Sequence, residues 1–199
     1  MYDMDNTGFI GLGSMGRGMV ANLVGNGVSV LAFDIDAETR KDASGPGVIL
    51  AENVATVGRD CKRIILSLPD GAVVEEVLFG DGGMAPCLAD GTILIDTSTT
   101  PAQTSQEIAR RLQAQGVWFL DAPVTGMETR AADGTLTVMV GGERSAFDAV
   151  ESLLEHIGST VVYMGPSGSG QLTKMVNNVL YNVSVAAMAE MLSLAARLG

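Results

Sequence analysis

Residues 7–16 read Thr7-Gly8-Phe9-Ile10-Gly11-Leu12-Gly13-Ser14-Met15-Gly16. A short apolar run meets glycines spaced Gly-x-Gly-x-x-Gly, and a helical pattern follows over Met15–Asn26. Thr7–Leu12 is therefore predicted as a strand that turns sharply into a helix. Glycines at such a turn let the backbone approach a pyrophosphate, where free N–H groups and the helix dipole favour negative charge. The candidate contacts are Gly11, Leu12, Gly13, Ser14, Met15 and Gly16. The motif alone is weak, but here a second strand, Val28–Phe33, ends on Asp34, where a carboxylate can accept hydrogen bonds from an adenosine ribose. Asp34 would repel a 2′-phosphate, so NAD is favoured over NADP. Arg40 and Lys41 stand too far along to reverse that preference.

Outward from this turn, β-rich runs alternate with helical stretches. The further predicted strands are Arg63–Ser67, Thr92–Asp96, Val117–Asp121, Leu136–Val140 and Val161–Met164. Helices are predicted from about Asp36, over Gly71–Phe79, Pro101–Gln115 and Ser145–His156, and from Gly168 to Leu198. Such alternation implies an α/β fold, a Rossmann-type doubly wound and mostly parallel sheet with helices on both faces. The run Gly165-Pro166-Ser167-Gly168-Ser169-Gly170 punctuates the chain, dividing a dinucleotide-binding domain at 1–165 from a long helix at 166–199.

Composition narrows the function. The chain has 199 residues, 47% hydrophobic and 18% charged, which is enough to bury a core. Its net charge of -11 opposes binding to nucleic acid or to an anionic membrane surface. Cys61 and Cys87 cannot build a disulfide framework and fit a reducing cytoplasm. Met1–Asn6 lacks the basic and apolar regions of a secretory signal. A single histidine, His156, at the end of a predicted helix, removes histidine triads and multi-histidine metal sites; no metal site is expected.

The last helix carries the chemistry. Lys174, Asn178 and Asn182 recur at i, i+4 and i+8 and share one face of a helix that is otherwise almost wholly apolar. Either Lys174 snorkels to the surface from the first turn, or it faces a ligand in a cleft. The window Val179–Leu198 is interrupted by Asn182, Glu190 and Arg197 and reads as a buried helix rather than a membrane span. At ~1.5 Å per residue the helix runs about 45 Å. Being apolar on nearly every side, it needs partners the chain does not supply, and the chain reads as cut off. Ser67-Leu68-Pro69-Asp70 and Asp96-Thr97-Ser98-Thr99 sit where doubly wound sheets bind ligands, although turn or capping chemistry explains them equally well.

Taken together, these motifs resemble the β-hydroxyacid dehydrogenases, a family that includes 3-hydroxyisobutyrate dehydrogenase, tartronate semialdehyde reductase and, more distantly, 6-phosphogluconate dehydrogenase. Gly8–Gly16, continuing through Met19 and Asn22-Leu23, looks like the family's cofactor signature. Asp121-Ala122-Pro123-Val124-Thr125-Gly126, with Ala131 and Gly134-Thr135-Leu136, resembles its substrate loop. Gly168-Ser169-Gly170 with Lys174 and Asn178 matches its catalytic segment. Leu68, Pro69 and Thr99 fall where the family contacts the nicotinamide half of the cofactor. The resemblance implies hydride transfer between NAD and a short 3-hydroxy acid or semialdehyde. Lys174 would be the general acid/base and Asn178 its positioning partner, while Thr125 and the N–H groups near Gly126 would bind the substrate carboxylate.

Two departures stand out. Thr125-Gly126-Met127 replaces a serine and a glycine pair, so Met127 adds bulk beside the acid pocket. The family's all-helical domain, which completes the site and usually a homodimer, has no counterpart here. A non-catalytic dinucleotide-binding or interaction module is the alternative from another class. An imine reductase is a third reading, which Lys174 disfavours.

Overall fold

The computed structural model describes residues 7–199; the reading of Met1–Asn6 concerns residues outside that range. The strands are β1 Thr7–Ile10, β2 Val30–Phe33, β3 Val48–Leu50, β4 Arg63–Leu66, β5 Ile93–Asp96, β6 Trp118–Asp121, β7 Val124–Thr125, β8 Leu136–Gly141 and β9 Gly158–Gly165. The helices are α1 Ser14–Gly25, α2 Ala37–Asp42, α3 Val54–Asp60, α4 Gly71–Phe79, α5 Ala102–Gln113, α6 Met127–Ala132, α7 Arg144–Asp148, α8 Glu151–Leu154 and α9 Ser169–Leu198. Among the described residues the sheet runs β3-β2-β1-β4-β5-β6-β8-β7, with β9 beside β8. The pairs from β3 to β6 are parallel, and β8 is antiparallel to β6 and β7. This is the expected mostly parallel, doubly wound sheet.

The strands are apolar along both faces because both are covered. Phe9, Ile65, Leu120 and Val138 join Met19, Leu23 and Phe147 in one buried layer. Ile10, Ile64, Leu66 and Leu94 join Val74, Leu78, Ile108 and Leu112 in the other. Each such fully buried side chain contributes on the order of 1.5–3 kcal/mol, so neighbouring residues of one strand hold opposite helix layers. Asp70 caps α4 by accepting from the N–H groups of Ala72 (2.9 Å) and Val73 (3.0 Å). That is the capping chemistry the sequence left open for this residue.

Several features depart from the sequence reading, among them β7 and α6, which it did not predict. The segment 48–60 holds β3 and α3, too short and too weakly periodic to be legible. The helix predicted over Ser145–His156 divides into α7 and α8, with Val150 between them at φ -124°. Most importantly, Val179–Leu198 is not buried within this chain. Only Gly170 and Gln171 of α9 are buried, and every residue from Met175 onward is exposed. The sheet edge is simply too short to cover more than the first turns of a 30-residue helix.

Asn22 ties the two halves of the fold together. Its side-chain amide donates to the carbonyls of Gly18 (2.8 Å), Ala131 (2.8 Å) and Ala132 (3.1 Å). Gly18 allows the contact, since a Cβ there would lie 2.7 Å from the Ala131 backbone. The helix after the glycine turn is thus locked to the helix after the substrate-like loop.

Candidate active site

The glycine turn is built by close backbone approach. Gly11 has φ +95°, and a Cβ there would stand 2.1 Å from the Ser67 carbonyl oxygen. A Cβ on Gly16 would lie 2.0 Å from the Gly11 carbonyl oxygen. Gly13 differs: a Cβ there would meet nothing within 4 Å. Gly13 instead borders a cleft of ≈ 790 Å³ lined by Gly11, Ser14, Met15 and Gly16, by Asp34 and Ile35, and by Leu68 and Pro69. Two glycines therefore close the turn while the third leaves the open backbone that a pyrophosphate needs. Leu12 contributes differently, its side chain fully buried and its N–H donating to Asp34 Oδ2 at 2.7 Å.

Asp34 Oδ1 accepts from the Asp36 N–H at 2.9 Å. Each oxygen of the Asp34 carboxylate therefore keeps a lone pair for a ligand at the cleft's edge. Arg40 stands closer than the sequence suggested. The fold of α2 brings its guanidinium back to donate to the Asp34 carbonyl oxygen and, at 3.3 Å, to that of Ile35. It also lies 5.4 Å from the centre of the Phe33 ring. Separation in sequence concealed this, because one helical turn reverses the chain onto the end of β2.

A second cleft, of ≈ 530 Å³, lies between the starts of α5 and α9. Thr99, Gln103, Gln171, Lys174, Asn178 and Asn182 supply its polar wall. Lys174 is half-buried, and its Nζ donates to the Val124 carbonyl oxygen at 2.8 Å. Burial lowers its pKa from the ordinary lysine value. The surface-snorkelling alternative does not describe this side chain. Asn178 shares the cleft with Lys174, as the i, i+4 spacing predicted. Thr99 lies on the Lys174 side, whereas Leu68 and Pro69 lie on the dinucleotide side. Thr125 and Gly126 follow Val124 directly, with Gly126 at φ +141°. Met127 is 81% exposed and stands at φ +61°, in left-handed space that L-residues rarely occupy.

Asp121 and Gln171 are site residues whose roles the sequence did not disclose. Asp121 Oδ1 accepts from the Gly168 N–H at 2.7 Å, and Oδ2 from the Gln171 N–H at 3.0 Å. A carboxylate at a helix N-terminus meets both free N–H groups and the favourable end of the dipole. Burial raises the Asp121 pKa, and the backbone hydrogen bonds from Gly168 and Gln171 oppose that rise. Beside it, Asp96 is wholly buried. Its Oδ1 accepts from the Ser98 N–H (3.0 Å) and its Oδ2 from the Thr100 hydroxyl (3.1 Å). Burial pushes Asp96 up to about 6, opposed by the Ser98 and Thr100 hydrogen bonds and helped by the charge of Asp121.

The chain is similar to known proteins. Residues 6–165 match the family model described as the NAD binding domain of 6-phosphogluconate dehydrogenase. The mouse (Mus musculus) mitochondrial 3-hydroxyisobutyrate dehydrogenase is 39% identical over 192 residues, 96% of this chain and 57% of that protein. The 2-(hydroxymethyl)glutarate dehydrogenase of Eubacterium barkeri is 35% identical over 96% of this chain and 64% of its own length. The structure of a Mycobacterium tuberculosis 3-hydroxyisobutyrate dehydrogenase with L-serine superposes with a TM-score of 0.93 at 34% identity, covering 98% of this chain and 66% of that one. The chain thus spans somewhat over half the length of the mouse relative.

The buried carboxylates make stability depend on pH. Asp96 holds its proton in the folded state up to about 6 but releases it near pH 4 when unfolded. The folded state therefore binds more protons between these values, and stability falls as pH rises through about 4–6. Asp96→Asn keeps the shape and cannot ionise. Urea unfolding at several pH values should show a decline across this window smaller by roughly 1–3 kcal/mol in the variant. An unchanged pH profile would remove Asp96 as its source.

Proposed function

This chain belongs to the family of NAD-binding domains of 6-phosphogluconate dehydrogenase, and from that premise we propose that it provides the cofactor cleft and the proton-transfer lysine of an NAD-dependent dehydrogenase of short 3-hydroxy acids. On this reading residues 1–165 are the cofactor-binding domain and 166–199 the helix that carries the lysine. The observation that carries this reading is Lys174, a half-buried amine fixed 2.8 Å from the Val124 carbonyl in a cleft shared with Asn178. When bound, the nicotinamide supplies the hydride acceptor or donor.

The residues of the chain do the rest. A substrate hydroxyl gives its proton to the neutral Lys174 amine as the carbinol carbon gives up hydride, and the C–O bond becomes C=O. The reverse reaction returns that proton to the forming alkoxide. Burial favours the neutral amine and so brings lysine toward the range where it can accept a proton. Asn178, one turn on, steadies the substrate oxygen. Thr125 and the N–H groups around Gly126 receive the carboxylate, and Met127 narrows what fits beside them. The relatives named 3-hydroxyisobutyrate dehydrogenase support a substrate of that type, and the motif resemblance extends it to the tartronate-semialdehyde type.

The same reading makes the protein cytoplasmic and a homodimer or larger homo-oligomer, without a nucleic-acid or membrane partner. Cys61 and Cys87 are free. The net charge of -11 repels phosphate polymers. Helix α9 is long and apolar enough to cross a membrane, but the superposition on the Mycobacterium dehydrogenase covers 98% of this chain and so takes in most of the helix. Its exposed Leu180, Val183, Met188 and Leu192 suit a second copy of the helix better than lipid.

Asp34 directs the cofactor preference. Its carboxylate can accept from a ribose hydroxyl and repels a 2′-phosphate, while Arg40 is engaged with backbone carbonyls. Titration of the purified chain should give tighter binding of NAD than of NADP by about tenfold or more, equivalent to 1.4 kcal/mol. Equal or tighter NADP binding would overturn the role of Asp34.

In a protein that carries this chain together with the remaining length its relatives have, Lys174→Ala should lower turnover of 3-hydroxyisobutyrate by about 10²–10⁴-fold, the usual general acid/base contribution, with NAD affinity nearly unchanged. Turnover close to that of the unmodified protein would show that another group moves the proton.

A further inference from the structure

The hydrogen bonds around Gln171 lead beyond the proposed function while resting on it. Gln171 lies in the first turn of α9, three residues before Lys174, and is 3% exposed. Its Oε1 accepts from the Thr100 N–H at 3.1 Å, and its Nε2 donates to the Ser98 carbonyl oxygen at 2.8 Å. Its own backbone N–H is held by Asp121. Ser98 in turn accepts, at Oγ, from the Leu68 N–H at 2.9 Å, and Leu68 lines the dinucleotide cleft. We propose that Gln171 is a positioning residue that sets where Lys174 stands relative to the nicotinamide end of that cleft.

The geometry favours a specific tie over general packing. Among the described residues, strand pairing of β5 ends at Asp96 and supplies no partner for the Ser98 carbonyl and the Thr100 N–H. The planar amide of Gln171 presents a donor and an acceptor together and takes the place of such a partner. Burying an amide is costly unless both ends are paired, and here both are. Residues three apart on a helix lie on nearly the same flank, so a shift of the Gln171 side chain moves Lys174 with it. Gly170 presses this turn onto the sheet, since a Cβ there would lie 2.4 Å from the Met139 carbonyl oxygen. The loops after β4 and β5 and the lysine helix therefore share one register, with the Gln171 side chain as the link between the Ser98–Thr100 loop and α9. No acidic side chain lines the Lys174 cleft among the described residues, which leaves the amine responsive to charge brought in by a cofactor.

That responsiveness supplies the test. The oxidised nicotinamide ring carries a positive charge that the reduced ring lacks. Lys174 should therefore titrate lower with NAD+ than with NADH, by about 1 unit for charges ~10 Å apart at an effective dielectric of about 20. Lysine-selective NMR titration of the 199-residue chain, saturated with each cofactor in turn, reads this gap, with Lys174→Arg assigning the resonance. In Gln171→Met, which keeps the volume but loses both bonds, the loosened first turn admits water around the amine, and a rise in effective dielectric from about 20 to about 40 halves the gap, while NAD+ affinity stays within about threefold. Gln171→Asn keeps the amide but is too short to reach both partners. It should behave alike, and it serves if the methionine variant does not fold. An unchanged gap in a folded variant that still binds NAD+ would overturn the role of Gln171 alone, as would the absence of a gap in the unmodified chain. Failure of the unmodified chain to bind NAD+ would overturn the proposed function, and this inference with it.

Discussion

The carboxylate of Asp121 is the contact on which the site depends. It ends β6, and both its oxygens accept from the first N–H groups of α9. Without it, a helix of 30 residues that touches the sheet only at its first turns would have no fixed origin. The arrangement is costly, since a largely buried carboxylate loses its hydration. The cost is offset in part by two charge-assisted hydrogen bonds and the helix dipole. Glycine at 168 and 170 completes it, for Gly168 sits at φ +90° and a Cβ on Gly170 would lie 2.5 Å from the Asp121 carbonyl oxygen. The Gly-Ser-Gly run that punctuates the sequence is thus a helix start shaped to receive a carboxylate.

From that anchor, the parallel sheet explains why the parts converge. β1, β4, β5 and β6 run in one direction, so Gly11, Leu68, Ser98 and Asp121 all emerge at one edge. Helix α1 begins there with its N–H groups toward the dinucleotide cleft, and α9 begins there with Lys174 toward the neighbouring one. The antiparallel β7–β8 pair then turns the chain back, so that the Val124 carbonyl can accept from the lysine. Chemistry from residues far apart in sequence meets because strand ends, not sequence neighbours, define the surface.

Much of this was legible before any coordinates. The Gly11–Gly16 turn, Asp34 at the end of β2, and the i, i+4 pairing of Lys174 with Asn178 each follow from local rules of spacing. What stayed hidden was mediated by tertiary contact. Gln171 looks like any polar residue at a helix start until the Ser98 and Thr100 backbone groups are placed beside it. Arg40 looked remote because chain distance was read as spatial distance. Asn22 sat inside a cofactor-like signature, yet its amide reaches α6, a partner more than a hundred residues away. Short elements such as β3 and α3 carry too few residues for periodicity to emerge. The apolar pattern of α9 predicted a helix correctly but says nothing of what lies against it.

Met127 shows how these constraints combine at the substrate loop. A non-glycine residue at φ +61° costs about 1–2 kcal/mol relative to ordinary backbone. Packing of its own side chain cannot repay that cost, because the side chain is 81% exposed. The conformation must therefore be imposed from both ends of the segment. On one side, Val124 and Thr125 pair with β8, and the Val124 carbonyl accepts from Lys174. On the other, Asn22 holds the carbonyls of Ala131 and Ala132. Between these fixed points Gly126 and Met127 have little choice of path. A glycine would follow it without strain, whereas methionine carries an exposed thioether on the loop that follows Val124. Strain held in place by anchors on both the cofactor helix and the lysine links loop shape to the two clefts at once.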